Sequence, residues 1–139
     1  AFQKVGPALT FAWREAIYAL DALRGLAGWG EPLVVPAMER LMLDRPDAWA
    51  GHYRGAPEAL RLARHFGYAD RIRYYWPDPV AQTAVAALRA DLADRHLPRP
   101  LLTQTFGETT VAEAEAKDMS ILDALIETHV QEALRPYFF

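Results

Sequence analysis

The fold of this chain is decided by one stretch, residues 8–27, which reads ALTFAWREAIYALDALRGLA. Its apolar residues recur every three or four positions, as they do on one face of an α-helix. The sequence Gly28-Trp29-Gly30 follows, and glycine is typical of a helix end because it adopts the left-handed backbone without a steric penalty. The stretch therefore predicts a long amphipathic helix.

Similar patterns follow along the chain, and proline marks most of their boundaries. We predict further helices over about 36–44, 57–66, 79–95 and 120–135, with a helical turn at 46–49 and a short helix or loop at 70–78. Within 57–66, Leu60, Ala63 and Phe66 are expected to face inward, and Gly67 to end the helix. The last helix is expected to begin with a Ser120–Asp123 capping pair and to stop at Pro136.

Three segments carry no clear helical pattern. Residues 1–6 indicate a strand or extended lead-in, with Pro7 opening the first helix, and residues 101–106 are compatible with a short strand or a turn. Residues 107–117 are acidic and expected to be exposed. The expected fold class is mainly α, a single multi-helix domain over 1–139 with at most one or two short strands.

Composition narrows the function classes. The net charge of −3 argues against a generic nucleic-acid binder, because phosphate contacts require a basic excess. The absence of cysteine leaves no disulfide framework or thiolate metal site, and it suits a cytoplasmic protein. No apolar run reaches membrane-spanning length, so no membrane partner is expected. The chain starts AFQKVGPAL, without methionine, and we expect it to be a fragment of a longer chain.

Catalytic machinery is not evident in the sequence. His52, His65, His96 and His129 never lie three or four positions apart, so no helical zinc pair exists. Ser120 is the only serine and occupies a helix-cap position, and no glycine-rich phosphate loop is present. We therefore assign no catalytic residue, no metal ligand and no cofactor.

Cationic side chains are concentrated before and within the stretch DRIRYYWPDP, residues 70–79. Arginine holds phosphate or carboxylate with two parallel hydrogen bonds and stacks on aromatic rings. The predicted phosphate-binding or substrate-binding residues are Lys4, His52, Arg54, Arg71 and Arg73. Lys4 is included because an amine at the end of a strand, next to a helix N-terminus, meets anions. The alternative is that these are ordinary solvated side chains.

The same stretch contains Tyr74, Tyr75 and Trp76. Aromatic side chains are enriched at protein interfaces, so these three are the predicted interface residues. They are equally compatible with a buried anchor for the segment, and the residues alone leave both alternatives open.

Four runs in the chain resemble the D-tagatose-1,6-bisphosphate aldolase non-catalytic subunit family, whose members are often labelled tagatose-6-phosphate kinase. The runs, in chain order, are KVGPALTFAWREA at 4–16, LMLDRPDAWAGHYRG at 41–55, RLARHFGYADRIRYYWPDP at 61–79 and LPRPLLTQTF at 97–106. The likeness is to the C-terminal part of that family. It departs at Thr103-Gln104-Thr105-Phe106-Gly107, where members usually carry a run similar to Ser-Gln-Tyr-Leu-Pro.

The resemblance implies a C-terminal helical domain of a class II aldolase-type (β/α)8 barrel protein. It further implies that the protein supports a separate catalytic class II aldolase subunit in hexitol or amino-sugar catabolism, with a sugar phosphate as ligand. A homo-oligomer is also compatible with it. Two alternatives stay open: a sugar-phosphate enzyme such as a tagatose-6-phosphate kinase, and a helical interaction module without a ligand.

Overall fold

The computed structural model describes the backbone of residues 2–138 and the side chains of residues 5–138. Over this range the chain is helical and contains no strand, which confirms the mainly α fold class. The helices are α1 Phe2–Leu26, α2 Val34–Asp44, α3 Pro57–Phe66, α4 Pro79–Ala93, α5 Arg99–Phe106, α6 Glu108–Glu115 and α7 Ile121–Phe138. Two short 3-10 helices, Pro46–Ala48 and Arg71–Tyr75, lie before α3 and before α4.

Helix α1 is the central element of the domain. It packs most extensively against α7 and also contacts α2, α4 and α5. Its apolar face is buried at Ala16, Ile17, Leu20 and Leu23, none of which has any exposed surface. The periodicity of residues 8–27 therefore identified the helix that organises the core.

The expected extended lead-in at residues 1–6 is wrong, because α1 already begins at Phe2 and contains Pro7. A residue that precedes proline usually avoids the helical conformation, since its Cβ clashes with the proline ring. Residue 6 is glycine and has no Cβ, which relieves that clash. The Gly6-Pro7 pair therefore lies within the helix and does not end an extended segment.

The start of α2 is bound by a carboxylate from α1. Asp21, which has no exposed surface, accepts hydrogen bonds from the backbone N–H groups of Leu33, Val34 and Val35 at 2.7, 3.0 and 2.8 Å. The first N–H groups of a helix have no partner within the helix and carry partial positive charge. Asp21 therefore serves as the N-terminal cap of α2, although it lies on another helix.

Two expectations for the second half of the chain are wrong and one holds in part. Residues 101–106 belong to a helix, α5. Most of residues 107–117 are exposed, as expected, but they contain α6, which buries Val111 and Ala114. The carboxylates of Glu108 and Glu115 do face solvent, where both bind Arg99. Helix α7 continues through Pro136 to Phe138, since a proline in the last turn removes one hydrogen bond without interrupting a buried segment.

Candidate functional site

The cationic segment after α3 forms a 3-10 helix, Arg71–Tyr75. It follows Asp70, which has a left-handed backbone with φ 51° and ψ 44°, a conformation that aspartate tolerates better than most residues. Asp70 is 3% exposed, and its Oδ2 accepts a hydrogen bond from Thr10 Oγ1 at 2.9 Å. Burial raises the pKa of this carboxyl, and the bond from Thr10 opposes that rise. Asp70 thereby fixes the start of the segment to α1.

The three aromatic residues of the segment have different environments. Tyr75 and Trp76 are buried in the core, where Trp76 lies edge-on to Trp13 and the Tyr75 hydroxyl donates to the Arg45 carbonyl. Tyr74 is 51% exposed. Of the three predicted interface residues, Tyr74 alone presents its ring at the surface of this chain.

Arg71 and Arg73 both lie against the ring of Tyr74. Their guanidinium carbons are 4.5 and 4.7 Å from the ring centroid, and Arg73 Nη2 donates to the Tyr74 hydroxyl at 2.9 Å. Residues three apart overlap in a 3-10 helix, which places Arg71 above Tyr74. The hydrogen bond and the charge of Arg73 lower the pKa of Tyr74. The result is an exposed aromatic ring with two arginines held on it.

The two arginines make no ion pair with a carboxylate among the side chains of residues 5–138. Arg71 Nε donates to the Ala48 carbonyl at 2.7 Å, and Arg73 Nη1 donates to the Ala69 carbonyl at 3.2 Å. Their remaining N–H groups are therefore available to an anion. This is the part of the predicted phosphate site that the structure brings together.

Of the other predicted phosphate ligands, His52 and Arg54 lie in a neighbouring loop, and the side chain of Lys4 lies outside the described residues. His52 and Arg54 are exposed in the loop 49–56, and Tyr53 between them accepts a hydrogen bond from the Arg71 backbone N–H at 3.4 Å. The loop is thus held beside the 3-10 helix. Lys4 lies in the first turns of α1, not at the end of a strand, and its side chain lies outside the described residues.

A buried polar cluster links α1, α2 and α3, and the sequence analysis did not identify it. The Tyr18 hydroxyl and His65 Nδ1 are 2.6 Å apart, and His65 Nε2 lies 3.3 Å from Glu39 Oε1. Arg64 donates to both oxygens of Glu39 at 2.8–3.0 Å. The sequence does contain a pattern that could have indicated this cluster. Arg61, Arg64 and His65 are spaced so that three cationic or polar side chains lie on one face of α3.

This cluster corrects the expectation for Phe66 in α3. Arg64 and His65 are 5% and 1% exposed, whereas Phe66, expected to face inward, is 49% exposed. Leu60 and Ala63 are partly buried, and Leu60 packs against the core as expected. A buried arginine is stable when its charge is paired, and Glu39 supplies that charge.

The protonation states of the cluster follow from its geometry. Burial raises the pKa of Tyr18 and lowers the pKa of His65, so both side chains are neutral. Tyr18 then donates to Nδ1, and the Nε2–H of His65 donates to Glu39. Burial raises the pKa of Glu39, but the hydrogen bonds and charge of Arg64, with the hydrogen bond from His65, outweigh burial and lower it overall. The cluster connects three helices.

We expect the free energy of unfolding to fall as the pH is lowered below about 6.5, the ordinary pKa of histidine. His65 has a lower pKa in the folded protein than in the unfolded chain, so the unfolded chain takes up a proton first. Asp70, whose pKa is raised in the folded protein, has the opposite effect on the free energy of unfolding: its protonation at lower pH favours the folded state. Urea unfolding at about pH 7 and pH 5.5 measures the change. The pH dependence should weaken in His65→Gln, and an unaltered dependence in that variant would contradict the assignment.

Among the described residues there is no group of three or more His, Cys, Asp or Glu side chains arranged to hold a metal ion. None of the helices in the described range is both long and apolar enough to cross a membrane.

Comparison with known proteins identifies a family that the chain matches and relatives that include an epimerase and a probable kinase. A family model described as D-tagatose-1,6-bisphosphate aldolase subunit GatZ/KbaZ-like matches residues 1–139. The chain is 46% identical over 117 residues to the D-tagatose 6-phosphate 4-epimerase of Agrobacterium fabrum, a match that covers 83% of this chain and 28% of the relative. The crystal structure of a probable tagatose 6 phosphate kinase from Sinorhizobium meliloti 1021 has a TM-score of 0.81 and 38% identity, and the match covers 95% of this chain and 35% of that one. The chain thus spans about a third of the length of these relatives.

Proposed function

The chain belongs to the D-tagatose-1,6-bisphosphate aldolase subunit GatZ/KbaZ-like family, and from that premise we propose that it is the helical, non-catalytic region of a protein of ketohexose-phosphate catabolism. In this proposal the helical region follows a class II aldolase-type (β/α)8 barrel. The full-length protein assists a catalytic class II aldolase subunit, as the family description suggests.

One observation carries the non-catalytic assignment. Several titratable side chains of the described region join helices: Asp21 caps α2, and the partly buried Glu39 links Tyr18, His65 and Arg64 in one cluster. A general acid or base must reach a reacting atom within hydrogen-bond distance. Groups whose partners all come from neighbouring helices are suited to holding the fold together.

A second candidate, an epimerase, is favoured by a specific observation. The relative that shares 46% identity is named D-tagatose 6-phosphate 4-epimerase. The full-length protein would then act on a ketohexose 6-phosphate without a partner subunit, and the helical region would complete that enzyme. A kinase, the label of the related crystal structure, is the third candidate.

Assays of the full-length protein separate these candidates. We expect a class II aldolase to cleave tagatose 1,6-bisphosphate faster, or to survive heating longer, when the full-length protein is added. Conversion of D-tagatose 6-phosphate to its C4 epimer by the protein alone would favour the epimerase, and ADP formation from ATP would favour the kinase. Turnover by the 139-residue chain alone would contradict the non-catalytic assignment.

We expect Arg71 and Arg73 to bind the phosphate of the sugar, together with His52, Arg54 and Lys4. Replacing Arg71 and Arg73 together with alanine in the full-length protein should weaken sugar-phosphate binding about tenfold or more, because charged hydrogen bonds contribute about 1.5–3 kcal/mol each. Isothermal titration calorimetry measures the change in Kd. Arg40→Ala, at an exposed arginine of α2, is the matched control. Equal Kd values for the double variant and the control would exclude this role.

A further inference from the structure

An open groove separates the first turns of α1 from the last turns of α7. It has a volume of about 390 Å³, and most of its lining is apolar, with Pro7, Ala8 and Phe11 on one wall and Ala133 and Tyr137 on the other. Glu15 is the one charged side chain in the lining. A groove of this composition is suited to an apolar segment and not to a phosphate.

Tyr68 forms the rim of this groove and is 94% exposed. Its ring nevertheless has a defined position, stacked on Phe11 with centroids 5.6 Å apart and an angle of 15° between the planes. The ring therefore lies beside α1 while almost all of its surface is presented to solvent. Tyrosine in this arrangement is characteristic of an interface anchor, because the ring is large and loses little conformational freedom on binding.

The apolar surface continues from the groove onto α3. The guanidinium of the buried Arg14 lies 4.6 Å from the Phe11 ring and 5.4 Å from the Phe66 ring, so the two rings flank one cation. Phe66 is 49% exposed, and Leu62, one turn earlier on α3, is 52% exposed. We call the groove and these residues together the Tyr68 surface. Exposed apolar residues grouped in this way are typical of a binding site for protein.

We propose that the Tyr68 surface is the docking site for the preceding part of the same chain in the full-length protein. The relatives are about three times as long as this chain, and the four sequence runs resemble the C-terminal part of the family. The residues that precede α1 are therefore tethered directly beside the groove, which the start of α1 lines. A tether raises the effective concentration of the two surfaces, so even a modest apolar contact is populated. The inference rests on the proposed function, since both treat the chain as the C-terminal region of a longer protein.

The test is hydroxyl-radical footprinting of the wild-type full-length protein, with each rate normalised for the intrinsic reactivity of its residue type. We expect Tyr68 to be modified at least about tenfold more slowly than Leu26, which is 70% exposed and lies at the opposite end of α1. Equal normalised rates would overturn the proposal. So would protection of Tyr68 that disappears on dilution, which indicates a second copy, or protection that requires an added aldolase subunit.

A pair of variants gives an independent readout. Tyr68→Glu should lower the Tm of the full-length protein, because docking would bury the introduced carboxylate, and Leu26→Glu should leave it unchanged. Equal Tm values for both variants would count against docking. The enzymatic assays are separate: protection of Tyr68 without activity on sugar phosphates refutes the proposed function alone, and activity without protection refutes the docking alone.

Discussion

Replacing Asp21 with alanine is expected to lower the free energy of unfolding by about 4 kcal/mol, which is much of the total stability of a typical domain. The carboxylate accepts three backbone N–H groups at the start of α2. The N-cap residue itself, Leu33, provides no side-chain acceptor. The substitution leaves these donors unpaired at a buried helix terminus, and each unsatisfied buried group costs about 1–3 kcal/mol.

The measurement is equilibrium unfolding in urea, with Asp78→Ala as the matched control. Asp78 is the ordinary N-cap of α4 and accepts one backbone bond, from the Val80 N–H at 2.8 Å. Its other oxygen accepts from the exposed Arg45 guanidinium, and an exposed ion pair contributes little, so the loss of Asp78 should cost about 1 kcal/mol. Asp21→Asn keeps one acceptor oxygen, so its loss of stability should lie between those of Asp21→Ala and Asp78→Ala. If Asp21→Ala cost no more than Asp78→Ala, the capping role of Asp21 would be refuted.

Replacing Glu39 with alanine is expected to cost about 3–5 kcal/mol, because it leaves the buried Arg64 without a counter-charge. Arg64 makes three hydrogen bonds to this carboxylate and lies 4.7 Å from the ring of Trp49. Breaking a buried ion pair by removing one partner is far more destabilising than replacing both partners with apolar residues.

Two controls distinguish this mechanism from simple loss of contacts. Arg61 also pairs with Glu39, at 3.2 Å, but it is half exposed, so Arg61→Ala should change the stability by less than about 1 kcal/mol. The double variant Glu39→Leu with Arg64→Leu should be more stable than Glu39→Ala alone. Urea unfolding at neutral pH measures all three variants. A double variant less stable than Glu39→Ala would contradict the unpaired-charge mechanism.

Local sequence signals predicted the parts of the fold that depend on local chemistry. The spacing of apolar residues identified α1, α2, α4 and α7. The caps at Asp78 and Ser120 are confirmed by their bonds to the N–H groups of Val80 and Asp123. Both caps act within three residues along the chain, so the sequence contains all the information they require.

The errors arise where a distant partner decides the structure. The inward orientation of Arg64 depends on Glu39, which lies 25 residues earlier, and the cap of α2 comes from a helix whose apolar pattern gave no reason to single out Asp21. Within 70–79, the expectation left open whether the aromatic residues pack inward or outward. Ile72, Tyr75 and Trp76 are buried and Tyr74 is exposed, which is the i, i+3, i+4 spacing of one helical face and not the alternation of a strand.

The packing of α1 against α7 has a consequence for how the protein is made. The two helices are far apart in the sequence but in contact in the fold. Glu15 and His129, for example, are 114 residues apart in the chain, and Glu15 Oε1 lies 3.3 Å from His129 Nε2. During synthesis α1 leaves the ribosome before α7, and the part of α1 that packs on α7 is then uncovered. At elongation rates of about 5–20 residues per second, this apolar surface stays exposed for several seconds or longer before α7 is made.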